Sequence, residues 1–280
     1  MCTRNRSEGW KHAKLSGHEN EGCIEYLLVN DSAFASQFLE RIGRMGLSIK
    51  SVSGGGLSES HVPSVLGGRT KSKSDMYMVL SDSDTVRFSL KKSWGGQVYL
   101  VTIENFIAAY EKHYGTIPDL VKRAIGLYWG SESDVCEIVK KYGGRYRNYE
   151  LRKNRLVAET MNAYDQKLSQ CLIDWFKSNI GNVTDMCFAR GAASRFSDWA
   201  QFVWYKNELG EDSLDDVFRI DEISLKSQEA AELVRFGNRI GGSTIQLPFG
   251  FVQWHSPNKQ IPGCLQFHHV YQSIKSLFGD

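Results

Sequence analysis

Between Lys71 and Gln97 the chain carries an acid, a hydroxyl and an amine at a spacing that suits hydrolysis of a phosphodiester. Asp75 opens the apolar, β-prone run Met76-Tyr77-Met78-Val79-Leu80. Ser81-Asp82-Ser83-Asp84 then supplies turn residues, and Thr85 to Leu90 alternates in strand fashion up to Lys91. Antiparallel pairing across that turn brings Asp75 and Lys91 side by side at one edge of a sheet. The carboxylate there would hold Mg²⁺, with Mn²⁺ as a substitute. The lysine would orient or activate the attacking water and stabilise charge on the phosphate. An acid and a lysine at strand ends also occur on ordinary exposed hairpins. The company sets this one apart: Arg69, Lys71 and Lys73 precede the aspartate, and Lys92 and Gly95-Gly96-Gln97 follow the lysine, as a passing phosphate backbone would require.

The pattern resembles the core of the PD-(D/E)xK nuclease superfamily, the fold of many type II restriction endonucleases and related phage nucleases. Asp75 matches that family's first acidic position and Lys91 its lysine. The position two before the lysine, normally Asp or Glu, is Ser89 here. The resemblance covers about a quarter of the chain. It implies that Asp75, Ser89 and Lys91 form the catalytic centre, that the Leu90 carbonyl joins Asp75 on the metal, and that the substrate is double-stranded DNA. Because Ser89 carries no charge, it also implies a single metal ion.

With Ser89 neutral, a second carboxylate must come from elsewhere, and nucleases of this superfamily often place a glutamate on the first core helix. Gly17-His18-Glu19-Asn20-Glu21 resembles that arrangement, with Glu21 the first choice of ligand and Glu19 the second. Both also suit a helix N-terminus simply as acids favoured by the dipole. Gln97, six residues past the lysine and at the start of an expected helix, is a candidate for contacting the metal-bound water, the phosphate or the lysine. It suits a capping role equally.

A second basic stretch joins Lys140, Lys141, Arg145, Arg147, Arg152, Lys153 and Arg155 with Tyr142, Tyr146 and Tyr149. It reads either as a solvated face or as a phosphate-contacting segment, led by Lys141, Arg145, Arg147 and Arg152, with tyrosines packing on sugars or bases. Near the C-terminus, Gln246, Gln253 and Gln266 on two expected strands suit base edges, since amides pair with adenine, or a plain exposed sheet face. His255, His268 and His269 do not suit a three-histidine metal site, because adjacent strand residues point to opposite faces.

The 280 residues, 41% hydrophobic and 12% aromatic, are ample for a buried core. A net charge of +2 leaves any nucleic-acid affinity to local basic clusters. The six cysteines are scattered without zinc-knuckle spacing, and no apolar run reaches membrane length. A cytoplasmic protein is the expectation, with no membrane partner and a homodimer as a compatible assembly.

Periodicity places helices from about His18, over 33–45, 98–113, 119–128, 151–178, 192–208 and 228–239, then two strands over 244–254 and 264–269 and a short terminal helix. The expected class is α/β: a restriction-endonuclease-like mixed central sheet carrying Asp75 and Lys91, flanked by the N-terminal helices and the helix after Gln97, with a large helical region. The expected spans are a nuclease core over 1–114, a helical nucleic-acid-binding region over 115–240, and C-terminal strands and helix over 241–280 packing on the core. The activity expected is a Mg²⁺-dependent endodeoxyribonuclease, for which the resemblance implies the type II restriction kind or a phage-encoded relative. The alternative is a DNA-binding protein on a decayed nuclease scaffold.

Overall fold

A computed structural model describes residues 6–54, 61–143, 154–210, 214–238, 242–255 and 263–279, with side chains in the first helix from Gly17 onward. The class is α/β, as expected, and the chain folds as two compact units. One comprises residues 1–94 with 188–221, the other residues 95–187 with 222–280. These units cut across the spans 1–114, 115–240 and 241–280.

The first unit is built on helices α1 (Arg6–Asn30) and α2 (Ser32–Arg41) and a five-stranded sheet. Its strands are β1 (Ile49–Ser53), β4 (Met76–Leu80), β5 (Thr85–Lys91), β7 (Phe202–Lys206) and β8 (Asp215–Arg219), in that spatial order. The sheet is mixed: β5 and β7 run parallel, and the other pairs are antiparallel. A separate small hairpin joins β2 (His61–Pro63) to β3 (Arg69–Lys71).

The β4–β5 hairpin forms where the sequence indicates. Asp82 and Asp84 accept from the backbone N–H groups of Asp84 and Thr85 at 2.9 and 2.8 Å, and Ser83 takes a positive φ of 72°. Alternation puts Met76, Met78 and Leu80 of β4 and Val86, Phe88 and Leu90 of β5 on one buried face. Ile24 and Leu28 of α1, Phe38 and Leu39 of α2 and Ile42 at the C-terminal cap of α2 cover that face, with Phe38 stacked on Trp204 at 4.1 Å. Asp31 caps α2 by accepting from the N–H groups of Ala33 and Phe34, both at 3.0 Å.

The expected helix over 192–208 is instead a short 3₁₀ turn (Phe196–Asp198) followed by strand β7. Phe-Val-Trp-Tyr is a β-prone run, and a strand paired in parallel and buried on both faces shows no alternation to betray it.

The second unit holds an antiparallel five-stranded sheet ordered β6 (Gly95–Thr102), β12 (Cys264–Val270), β11 (Gly250–His255), β10 (Thr244–Leu247) and β9 (Arg235–Phe236). Its helices are α3 (Ile103–Tyr114), α4 (Asp119–Trp129), α5 (Val135–Tyr142), α6 (Ala158–Tyr164), α7 (Gln166–Asp185) and α9 (Tyr271–Leu277); α8 (Ile220–Glu229) starts in the first unit. Aromatic contacts join helices to sheet: Phe106 meets Phe267 at 5.5 Å, and the Trp129 indole donates to the Ser243 carbonyl at 3.1 Å.

Several expected helices are revised here. Residues 98–102 are strand, and the helix starts only at Ile103, capped by Thr102 accepting from the Asn105 N–H at 3.3 Å. The 151–178 helix divides at Asp165, whose extended backbone ends α6 while its carboxylate caps α7 through the Lys167 N–H at 2.8 Å. The 228–239 helix ends at Glu229 and gives way to a 3₁₀ turn and β9. The 244–254 strand is two strands around a tight turn. Gly250 (φ 152°) closes it, because a Cβ there would lie 2.1 Å from the His268 carbonyl oxygen.

Candidate active site

The hairpin register decides which groups meet. Met76 pairs with Phe88, and the Asp75 N–H donates to the Phe88 carbonyl at 3.1 Å, so Asp75 lies opposite Ser89. Ser89 and Lys91 are two apart on β5 and share the face that Val86, Phe88 and Leu90 leave. The neighbouring chain reinforces this. The Ser74 hydroxyl donates to the Met76 carbonyl at 2.7 Å, and Gly54, at φ 115°, passes so close that a Cβ would sit 2.8 Å from the Asp75 carbonyl oxygen.

The three side chains converge on one oxygen. Asp75 Oδ2 accepts from Ser89 Oγ at 2.7 Å, from the Leu90 N–H at 2.8 Å and from Lys91 Nζ at 3.4 Å. Lys91 Nζ also donates to Ser89 Oγ and, at 3.0 Å, to the Leu90 carbonyl. The lysine is thus held by three oxygens, and its side chain is only 18% exposed. Asp75 Oδ1 accepts from none of the described residues.

Glu21 faces this cluster from α1. Burial and the Asp75 carboxylate push its carboxyl above the ordinary carboxylate range. A bond from His18 and the nearby Lys91 charge partly offset the rise. Glu19, the second choice, is exposed. Two contacts orient Glu21. His18 Nδ1 lies 3.1 Å from Glu21 Oε2, and the buried Asn20 bonds the Lys206 carbonyl at 2.9 Å and the Glu208 N–H at 2.7 Å. Asn20 thereby ties α1 to the end of β7 and sets which side of the helix Glu21 occupies. Sequence reasoning missed both residues. The i, i+3 spacing of His18 and Glu21 was a usable signal. Asn20 had none, since its partners lie far along the chain.

Of the two carboxylates, Glu21 is disfavoured in its charged form by burial and by Asp75, while Asp75 keeps an open oxygen; together they form a donor set suited to a hard divalent cation. Asp75, Glu21 and the Leu90 carbonyl are the groups that could hold such a cation. Among the described residues no group of three or more His, Cys, Asp and Glu side chains is placed to hold a metal.

The remaining expected residues distribute differently. Gln97 lies in the other unit, in strand β6 and not at a helix start, and its side chain accepts from Gln266 Nε2 at 2.9 Å. Arg69 and Lys71 are exposed on β3, with Arg69 donating to the His61 carbonyl, while Lys73 and Lys92 are half-buried. Lys141 is exposed, its ammonium 5.1 Å from the centre of the Tyr142 ring. Arg145, Arg147, Arg152, Lys153, Tyr146 and Tyr149 lie outside the described residues. Arg155 does not serve as a surface phosphate contact: it is buried, bonds Ser243 at 3.1 Å and stacks over Trp254 at 3.7 Å. Gln246 and Gln253 share a face of the second unit's sheet. Among the described residues no helix is long and apolar enough to cross a membrane.

No family model and no curated protein matches the chain. Among solved structures it is similar to the restriction endonuclease MspI in complex with its cognate DNA, with 12% identity and a TM-score of 0.47 over 94% of this chain and 88% of that one. A likeness this slight carries no argument about chemistry.

Proposed function

We propose that the protein is a Mg²⁺-dependent endodeoxyribonuclease that hydrolyses phosphodiester bonds of double-stranded DNA, in the manner of a type II restriction endonuclease. The observation that carries this reading is the convergence of Ser89, Lys91 and the Leu90 N–H on a single oxygen of Asp75, with the half-buried Glu21 carboxylate facing it. When bound by Asp75, Glu21 and the Leu90 carbonyl, Mg²⁺ (or Mn²⁺) supplies Lewis-acid stabilisation of charge on the phosphate.

The chain's own groups do the rest. Asp75 Oδ2 and Ser89 hold the Lys91 ammonium in a half-buried position, where its charge stabilises a phosphoryl oxygen, and the N–H now given to the Leu90 carbonyl is the one that exchanges onto the attacking water. Arg69, Lys71, Lys73 and Lys92 supply positive charge to contact the DNA backbone.

The test is cleavage of plasmid and linear duplex DNA with Mg²⁺, Mn²⁺ or EDTA, using wild type, Asp75→Asn and Lys91→Ala. Metal-dependent cutting by wild type alone, with binding kept in both variants, supports the nuclease. The neutral Ser89 favours a second reading, a DNA-binding protein without catalysis. That reading holds if wild type binds duplexes with either metal yet never nicks one.

A further inference from the structure

The outward face of the second unit's sheet carries a polar row that the chemistry above does not use. Inward positions are apolar or fully buried: Leu265, Phe267 and His269 on β12, Val252 on β11, Ile245 and Leu247 on β10. Alternation leaves Gln266 and His268, then Phe251, Gln253 and His255, then Thr244 and Gln246, on the other face. Gln97 joins them through an irregularity. Phe267 pairs with Tyr99 but His268 pairs with Gln97, so Val98 is the extra residue of a β-bulge. Without it, Gln97 would share the inner face with Tyr99, which stacks on Phe267 at 6.2 Å. Bulges re-aim side chains in this way.

The amides form a directed ladder across three strands. Gln253 Nε2 donates to Gln266 Oε1 at 3.0 Å, and Gln266 Nε2 donates to Gln97 Oε1 at 2.9 Å. Gln253 Nε2 also lies 3.3 Å from His268 Nε2. Burial, then neighbouring His255, lowers the His268 pKa and so favours the neutral ring, and because the facing Gln253 Nε2 can only donate, the contact takes the tautomer in which His268 Nε2 accepts. Phe251 holds that ring by stacking at 4.6 Å.

Counting protons gives the surface its character. Both Gln253 amide protons are spent within the row, which rules out the paired contact to adenine expected for that residue. Gln266 keeps one proton and the exposed Gln97 keeps two. The outward strand residues include no carboxylate, and Arg235, opposite Gln246, has no acidic partner among the described residues.

We propose that this face is the specificity-determining surface of the nuclease proposed above, on which it rests: Gln97 and Gln266 donate to acceptors on purine edges in the DNA major groove. The acceptors that two such donors match are N7 of a purine and, on guanine, O6. A base-free sheet face would need neither the bulge nor a fixed amide direction.

The test is selection from a randomised duplex library with the Asp75→Asn protein, which removes cutting from the readout. The parent is expected to enrich a defined sequence. Adding Gln97→Ala or Gln266→Ala should lower preference at one or two base pairs by about tenfold each. For Gln97→Ala, at the exposed end of the ladder, melting temperature and affinity for non-specific DNA should stay unchanged. Placing 7-deazapurine at the affected position should weaken the parent and leave Gln97→Ala indifferent, and Gln97→Glu should turn the preference towards amino-bearing edges. If Gln97→Ala, at an exposed edge-strand site, enriches the same sequence equally strongly, the ladder is only structural and the proposal falls. If the parent enriches nothing while wild type still cuts duplexes, the proposal falls and the nuclease reading stands.

Discussion

Ser89 Oγ lies 2.7 Å from Asp75 Oδ2 and accepts from Lys91 Nζ, so the serine bridges the acid and the amine it separates in the sequence pattern. A carboxylate at this position would add charge beside Asp75. The hydroxyl instead serves as donor to the aspartate and acceptor from the lysine, and the cluster stays compact with one acid fewer.

Asp75→Asn and Lys91→Ala should each reduce cleavage by at least about 10²–10³-fold, the scale of losing one charged group at a reacting centre. Duplex binding should persist, because neither residue is needed for the backbone contacts of the basic residues around it. A gel-shift assay beside a nicking assay separates the two effects. Loss of binding in step with cutting would make the cluster a DNA contact and not a catalytic one.

Glu21→Gln should abolish metal-dependent cutting and weaken Mg²⁺ binding measured by calorimetry. In EDTA at neutral pH the same variant should melt higher than wild type. Burial and Asp75 raise the folded pKa of Glu21, so its ionised form costs stability, and that cost is absent from the neutral amide. The pH dependence follows. The contribution of Glu21 to stability is fully present below its unfolded pKa and is lost as pH rises through the raised folded value. A lower melting temperature for Glu21→Gln in EDTA would mean that its carboxylate is held by favourable bonds and is not waiting for a cation.

The hairpin was legible because every local cue agreed: an apolar alternating strand, a four-residue turn with two capping aspartates, and a second alternating strand. Register then placed Asp75 against Ser89 without help from the rest of the fold. Strand β7 was not legible, since pairing on both sides and burial on both faces erase the period that marks a strand. Gln97 was misplaced for a related reason: a Gly-Gly start before an apolar run suits a helix as well as an edge strand, and the bulge at Val98 depends on β12, far along the chain. The hold of Asn20 on β7 likewise exists only after folding.

Phe38→Ala should cost about 3–5 kcal/mol of stability. The ring is 1% exposed, stacks on Trp204 at 4.1 Å and meets Phe88 at 5.3 Å, so truncation leaves a cavity between α2 and the sheet that carries Asp75. Chemical denaturation gives the measurement. A cost below about 1 kcal/mol would mean that the helix does not pack as described.

Acid should loosen the amide ladder. The folded pKa of His268 is depressed, so its contribution to stability is present above the ordinary histidine value near 6.5 and is lost as pH falls through the folded value. A protonated ring can no longer accept from Gln253. His268→Gln keeps an acceptor in place but does not titrate, so its melting temperature should fall less than that of wild type between about pH 7.5 and pH 5. Parallel pH profiles for the two proteins would place the titrating group elsewhere.

Ser89 also bears on the number of metal ions. Asp75, the Leu90 carbonyl and Glu21 bring two negative charges, too few to hold two Mg²⁺ ions close together against their mutual repulsion. One essential Mg²⁺ per site is therefore expected. Ser89→Ala should lower cleavage by about 10²-fold at most, since Asp75 Oδ2 keeps the Leu90 N–H at 2.8 Å and Lys91, and a single hydrogen bond to a charged group contributes about 1.5–3 kcal/mol at most. Ser89→Asp should tighten Mg²⁺ binding or open a second metal position, visible as a steeper dependence of rate on Mg²⁺ concentration. Two divalent ions about 4 Å apart in a DNA complex of the wild-type protein, both needed for cutting, would overturn the one-metal account.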